Sequence, residues 1–370
     1  MDPKLHAWWS HRQGLDGTLT GRTAAEVLEQ TGWARSVGGA SPYLTLFARA
    51  GIRREEADTA VAGTTIHELP AARGCTYVVP AADYALALAA GHPFADDEIK
   101  VARRLNVTDA EITTLRTAVL KALTSASLDM EALRTKVGDA ARNLGPEGAK
   151  KGLTTTLPVA VGLLQSAGEI RRIPVNGRLD QQRYRYATWK PNPLAKWKKT
   201  TEETFTDLAR KFFTWTGPTT VAAFQAFAGL GVKAAKAATD PLQLTQAVED
   251  LLILPEDQEA FRKFKAPTKP QYALTGSIDN IMHHHSGALD KQTHPILDRG
   301  QIVGKWAFDP ETGAIAWTST APKSRALEEA VAKTEAYIRE DLGDVRSFSL
   351  DSPKSRIPLI KALRKTTSAA

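Results

Sequence analysis

The 370-residue chain holds a single cysteine, Cys75. One thiol can build neither an intramolecular disulfide framework nor a cysteine-based zinc site. Cys75 opens the apolar run Cys75–Val79, a setting that reads as a buried, inert thiol rather than a nucleophile. Long apolar runs are also missing: none reaches the roughly 18–20 residues of a membrane span. Residues 1–12 carry Asp2, Lys4 and the pair Trp8-Trp9 instead of the apolar centre of a signal peptide. A cytoplasmic protein with no membrane partner is therefore expected. Neither a phosphate-binding glycine loop nor a Gly-x-Ser-x-Gly elbow occurs, and no cofactor or metal is expected.

Apolar residues make up 42% and charged residues 24%, which suits a globular chain, and the length suggests more than one core. Helical signals dominate the first three quarters. Thr23 stands as a cap before a helix to Thr31, Ser41-Pro42 opens a helix that Gly51 stops, and Thr108 with Glu111 forms a capping-box pattern. Cys75–Val79 reads as a strand. Asn176-Gly177 sits between the strand-like runs Glu169–Ile173 and Arg183–Trp189, a hairpin signal. Several helices closed by a hairpin are the layout of a winged helix. The theme recurs after residue 200, where Gly217-Pro218 starts a helix, Gly229 punctuates it and Val232–Ala238 carries Lys233 and Lys236. The tail turns to strands at His294–Leu297, Ile302–Phe308, Ala314–Thr318 and Ser347–Leu350, with helices Ala326–Asp341 and Ile357–Arg364. The expected fold is helix-rich α+β. Three tandem winged-helix units cover residues 1–95, 96–190 and 200–265, and a C-terminal β-hairpin or barrel-like α+β cap covers 270–370.

The net charge is +7, and its distribution says more than its sum. Between residues 171 and 199 lie Arg171, Arg172, Arg178, Arg183, Arg185, Lys190, Lys196, Lys198 and Lys199, against Asp180 alone, with Tyr184, Tyr186, Trp189 and Trp197 interleaved. Basic residues on a hairpin can neutralise phosphates, and aromatic faces can stack on bases; the alternative is a solvated hairpin with its aromatics packed beneath. His283-His284-His285 lacks the spacing that brings imidazoles to one face, so a loop of solvated imidazoles is expected rather than a metal site. Asp279-Asn280 just before it suits a turn and is also a candidate polar pair.

Taken in order, these segments resemble the AlkZ/YcaQ-type family of DNA glycosylases, and the resemblance spans most of the chain. Arg12–Leu15 is similar to the end of that family's opening helix. PYLTLFAR, residues 42–49, is similar to a helix that closes on an arginine. ARGCTYVVPAADYALALA, residues 72–89, is similar to a first wing in which an arginine precedes a strand. TGPTTVAAFQAFAGL, residues 216–230, resembles the third winged helix, Ser277–Asn280 the polar turn before the C-terminal part, and ILDRGQIVGKWAFDPETGAIAW, residues 296–317, its paired hairpins. The resemblance implies hydrolysis of the N-glycosidic bond of alkylated or crosslinked purines. In that family two polar residues flanking an apolar one, Gln-x-Gln or Gln-x-Asp, direct water at the sugar carbon. Aligning Val27, Gly32 and Arg49 puts Arg35 and Val37 at those positions, flanking Ser36. Valine cannot orient water, and arginine is never a base. The leading expectation is a DNA-binding protein, a monomer that contacts duplex or damaged DNA through a basic concave surface. Its contacts would come from Arg35, Arg171, Arg172, Arg178, Arg183, Arg185, Lys196, Lys198 and Lys199. The alternatives are a divergent glycosylase drawing on Asp279, Asn280 and His283, and a scaffold that binds no nucleic acid.

Overall fold

Side chains set where many of the helices begin. Thr23 accepts from the Glu26 amide, and the Glu26 carboxylate accepts from the Thr23 amide, which starts the helix Ala24–Thr31. Thr108 with Glu111 and Thr200 with Glu203 do the same for Asp109–Ala122 and Thr201–Thr216. Each pair satisfies two amides that the first helical turn leaves open. Two expected starts move. Ser41 lies inside the first turn of Ser41–Ala50, and Ala40 takes the cap position without a side-chain bond. Gly217-Pro218 lies outside the helix Val221–Ala228, because the Thr220 hydroxyl accepts from the Ala223 amide and fixes the start there.

The computed structural model describes residues 2–285, 287–289 and 292–368. Its strands form four small antiparallel sheets among helices, a helix-rich α+β fold. β1 (Ala34–Arg35), β2 (Ile66–Pro70) and β3 (Thr76–Pro80) lie in the order β1-β3-β2. β4 (Ile170–Pro174) and β5 (Tyr184–Thr188) are the expected hairpin, and β6 (Thr245–Val248) pairs with β7 (Leu251–Ile253). β8 (Tyr272–Leu274), β9 (His294–Asp298), β10 (Gln301–Asp309) and β11 (Ala314–Ser319) form the sheet of the tail, in the order β11-β10-β9-β8. The final helix Pro353–Ser368 covers it through Ile360 and Leu363 against Ala307 and Ala316. The strand expected at Ser347–Leu350 is a turn instead. The Asp351 carboxylate accepts from the Ser347 amide, and the Asp351 amide donates to the Phe348 carbonyl; these local bonds take up groups a ladder would need.

The cores join distant parts of the sequence. Leu28, Tyr43, Leu44 and Phe47 pack with Leu274, Ile296, Trp306 and Tyr337 of the tail. Trp8 and Trp9 pack with Ile253, Phe261 and Leu297, and Leu69, Tyr77 and Val79 pack with Phe212, Trp215 and Phe227. Residues between Leu115 and Ile170 have a core of their own. The sheet β1-β3-β2 therefore lies where the early helices meet both later parts. Its ladder pairs Ala34 with Val78 and Val78 with Glu68, and Arg35 with Tyr77 and Tyr77 with Leu69. Successive residues point to opposite faces of a strand, so Arg35 and Tyr77 share one face, and Glu68 lies on the other. Among the described residues no helix is long and apolar enough to cross a membrane.

Candidate functional site

The Arg35 face of the small sheet forms one wall of a cleft of about 200 Å³. Arg73, from the turn between β2 and β3, joins it. Arg73 has φ 56°, the left-handed region that a side chain rarely occupies. Its guanidinium donates to the Ala226 carbonyl at 3.2 Å, and it passes so close to Gly229 that a Cβ there would lie 2.7 Å from the Arg73 Cγ. The opposite wall is Ala226, Phe227 and the segment Ile278–His283. Cys75 is half-buried rather than sealed in the core. It stands just before β3, where its sulfur accepts from Arg35 at 3.6 Å and Arg73 at 3.9 Å.

Asp279, Asn280 and His283 line the same cleft as Arg35. Asp279 caps the short turn Asn280–His284 by accepting from the Ile281 amide at 3.1 Å. Arg49 donates to its two oxygens at 2.8 and 2.7 Å, and the Thr45 hydroxyl donates at 2.8 Å. Both side chains of this ion pair are 0% exposed. Burial alone would raise the Asp279 carboxyl, but the Arg49 guanidinium overrides it and holds the pKa below the ordinary value. Arg49 also donates to the Gln13 carboxamide at 2.6 Å, and Gln13 in turn donates to the Thr31 and Trp215 carbonyls. Asn280 donates to the Thr31 carbonyl at 3.0 Å. This carboxylate and this carboxamide are thus engaged in holding the fold together.

The three histidines are not a solvated loop. His283 lies edge-on to Phe212 and Phe227, His284 stacks on Trp9 with centroids 4.0 Å apart, and His285 stacks on His6 and bonds the Gly300 carbonyl at 2.9 Å. The aromatic residues Trp9, Phe212 and Phe227 draw the run inward, a contact that sequence spacing does not reveal. Burial, together with Arg35 and Arg73, lowers His283 to about 4 against the opposing pull of Asp279. Among the described residues no group of histidine, cysteine and carboxylate side chains could hold a metal ion.

The cleft is therefore cationic. Arg35 and Arg73 make no ion pair among the described residues, and the one carboxylate lining it belongs to Arg49. The Arg35 Nε is buried without a partner. Such a site attracts anions and repels developing positive charge. Val37 is half-buried, and its carbonyl accepts from the Ser349 amide at 2.9 Å. Between Arg35 and Val37, Ser36 donates to the buried Glu68. Burial raises the Glu68 carboxyl, opposed by Arg172, Ser36 and Tyr184. Local pattern gives no sign of Glu68 beneath Ser36 or of Tyr77 beside Arg35, since the first depends on the pairing of β3 with β2 and both on the pairing of β1 with β3.

The basic segment divides. Arg172 donates to Gln165 at 2.8 Å and lies over the Tyr184 ring. Arg178 is tied to Asp180 and to the Leu342 carbonyl, and half-buried Arg171 sits near His67. Lys199 pairs with Asp207 over the Trp197 ring. Arg183, Arg185, Lys196 and Lys198 are exposed.

The helix-rich fold is that of a DNA glycosylase. It matches the solved structure of the Streptomyces sahachiroi DNA glycosylase AlkZ with a TM-score of 0.70 and 17% identity, over 93% of this chain and 97% of that one. The model of the AlkZ-like DNA glycosylases matches residues 27–338, and the chain belongs to that family. A comparison with curated protein sequences gives no match.

Proposed function

We propose that this protein is a DNA-binding member of its family that has lost the family's usual water-directing residues. The observation that carries the reading is the cleft itself. Arg35 and Val37 stand at the two aligned polar positions, and Arg35 joins Arg73 in a cationic site with no free carboxylate. A glycosidic bond that breaks toward an oxocarbenium ion gains nothing from two guanidinium groups beside it. On this reading three winged-helix units, residues 1–95, 96–190 and 200–265, and the cap 270–370 form a basic concave surface. The protein acts in the cytoplasm as a monomer. Exposed Arg183, Arg185, Lys196 and Lys198 supply phosphate contacts along the duplex. Arg171, Arg172, Arg178 and Lys199 contribute mainly to the local field, because most of them are engaged within the chain.

A divergent glycosylase is the second reading, favoured by the presence of Asp279, Asn280 and His283 along the same cleft. Against it stand the full engagement of Asp279 by Arg49 and Thr45 and the weak basicity of His283.

Duplexes carrying N7-alkylated guanine, N3-alkylated adenine or an interstrand crosslink separate the readings when binding and strand cleavage at abasic sites are scored in the same gel. Binding without abasic sites is expected. Abasic-site formation that disappears on Asn280→Ala would establish the glycosylase reading, and no binding to any duplex would leave a scaffold. Affinity should fall steeply with salt. Arg183→Ala with Arg185→Ala should weaken all duplexes alike and reduce the salt slope by about 2.

A further inference from the structure

We propose that the Arg35 cleft is a pocket for a phosphate monoester, the terminal phosphate of a DNA end. The proposal rests on the DNA-binding reading and assigns the cleft its ligand. Its walls present donors and no free anion. Among the described residues Arg35 donates only to the Cys75 sulfur, and its Nε is buried without a partner. Arg73 is held by one carbonyl and the same sulfur, which leaves most of its fork unused. Tyr77 is 3% exposed, and its hydroxyl, like the His283 ring, makes no hydrogen bond among the described residues although both line the cleft. Near neutral pH an uncharged imidazole still offers one N–H. Two forks, a hydroxyl and an imidazole N–H around one small cavity match the oxygens of a phosphate.

Charge selects the kind of phosphate. Two guanidinium groups stand here, and the one carboxylate on the lining, Asp279, is already neutralised by Arg49. A phosphodiester inside a strand carries one negative charge, whereas a monoester carries about −1.5 to −2 at pH 7. The monoester is the better match for the pair. An extruded base that is already cationic is a poor one. The strained backbone of Arg73 and the close pass of Gly229 behind it keep the second fork beside the first; strain of this kind persists where the surroundings enforce it.

The test compares two duplexes of one sequence, one ending in a 5′-phosphate and the other in a 5′-hydroxyl, by fluorescence anisotropy with the full chain. A 5′-phosphorylated dinucleotide and inorganic phosphate serve as competitors. The phosphorylated duplex should bind about tenfold more tightly, the scale of charge-assisted hydrogen bonds. Arg35→Gln and, as a variant that leaves packing intact, Tyr77→Phe should each pull that ratio toward one. Arg183→Ala with Arg185→Ala should weaken both duplexes and keep the ratio. Equal affinity for the two ends would overturn the pocket while leaving DNA binding in place; so would competition by the dinucleotide that persists undiminished in Arg35→Gln. Should neither duplex bind while the dinucleotide does, in an Arg35-dependent way, the pocket would stand and the duplex reading would fall. If neither duplexes nor dinucleotide bind, both fall.

Discussion

Arg35 lines the cleft and Arg49 binds Asp279, another residue of its lining, yet the two arginines are treated in opposite ways. Arg49 is fully buried and gives its guanidinium to both Asp279 oxygens and to Gln13. Arg35 is half-buried, and its one side-chain bond among the described residues is to a sulfur. The difference follows from solvation. A guanidinium sealed from water must be neutralised within the protein, because the cost of stripping its hydration is several kcal/mol. One at the edge of a cleft keeps part of its hydration and can remain unmatched until a ligand arrives. The same sequence neighbourhood thus carries one arginine that builds the fold and one that the fold leaves available.

The largest test of that contrast is Asp279→Asn. The shape is kept, but Arg49 loses its counter-charge inside the core. Urea unfolding should show a loss of about 3–5 kcal/mol. A change too small to measure would mean that Asp279 is not holding the fold and could serve chemistry in the cleft instead.

Acid should act on a comparable scale. Burial, then Arg171 and Arg172, lowers His67 to about 3, and His6 and His283 each lie at about 4, burial again being the main cause. The ordinary value is 6.5. The unfolded chain therefore takes up protons from about pH 6.5 downward, while the folded protein takes them up only near pH 4 or below. Stability should be full above pH 6.5 and fall toward pH 4. Glu68 acts in the opposite sense: its raised carboxyl binds a proton in the folded state first, so acid relieves its burial. His284 and His285 are lowered by burial as well, and Asp58 is raised like Glu68; five imidazoles should outweigh two carboxyls, and Tm measured from pH 7 to pH 4 should fall. His283→Gln should flatten part of that slope. A flat profile in the wild-type protein would mean that water reaches these rings.

Much of the local architecture is legible in the sequence. Thr23 and Thr108 act through neighbours three residues away, and such signals survive in any tertiary setting; Asn176-Gly177 marks the hairpin but lies in the longer loop between Pro174 and Tyr184. The site is legible only in part. Arg35, Asp279, Asn280 and His283 can each be singled out from residue type and order, yet nothing local says that they share a cleft or that Arg49, 230 residues from Asp279, closes off its carboxylate. The same limit explains the basic segment. Arg172 and Arg183 read alike as sequence, but the first meets Gln165 and Tyr184 after folding, and the second stays in water. It also explains the histidine run, whose burial depends on Trp9 and Phe212 from far away in the chain.

A smaller perturbation probes the backbone behind the cleft. Gly229 ends its helix at φ 72°, and an added Cβ would lie 2.7 Å from Arg73. Gly229→Ala should cost about 1 kcal/mol or somewhat more from the left-handed backbone alone, and it should also displace Arg73. A drop in stability with the end preference of DNA binding unchanged would separate Arg73 from the ligand and leave Arg35 to hold it.

The smallest expected effect is the most discriminating. Arg35→Gln removes a charge from a partly buried position, which for Asp279 is expected to be severe. Here it should change stability by no more than about 0.5 kcal/mol. The only bond lost is a weak one to the Cys75 sulfur at 3.6 Å. No carboxylate is left unpaired, because among the described residues the one carboxylate that lines the cleft with Arg35 is already held by Arg49. Removing one of two neighbouring like charges even favours the folded state. A residue that costs almost nothing to remove but controls which DNA end is bound is one whose partner lies outside the chain. Were Arg35→Gln instead to approach Asp279→Asn in cost, Arg35 would belong to the scaffold, and the two arginines would differ in exposure but not in role.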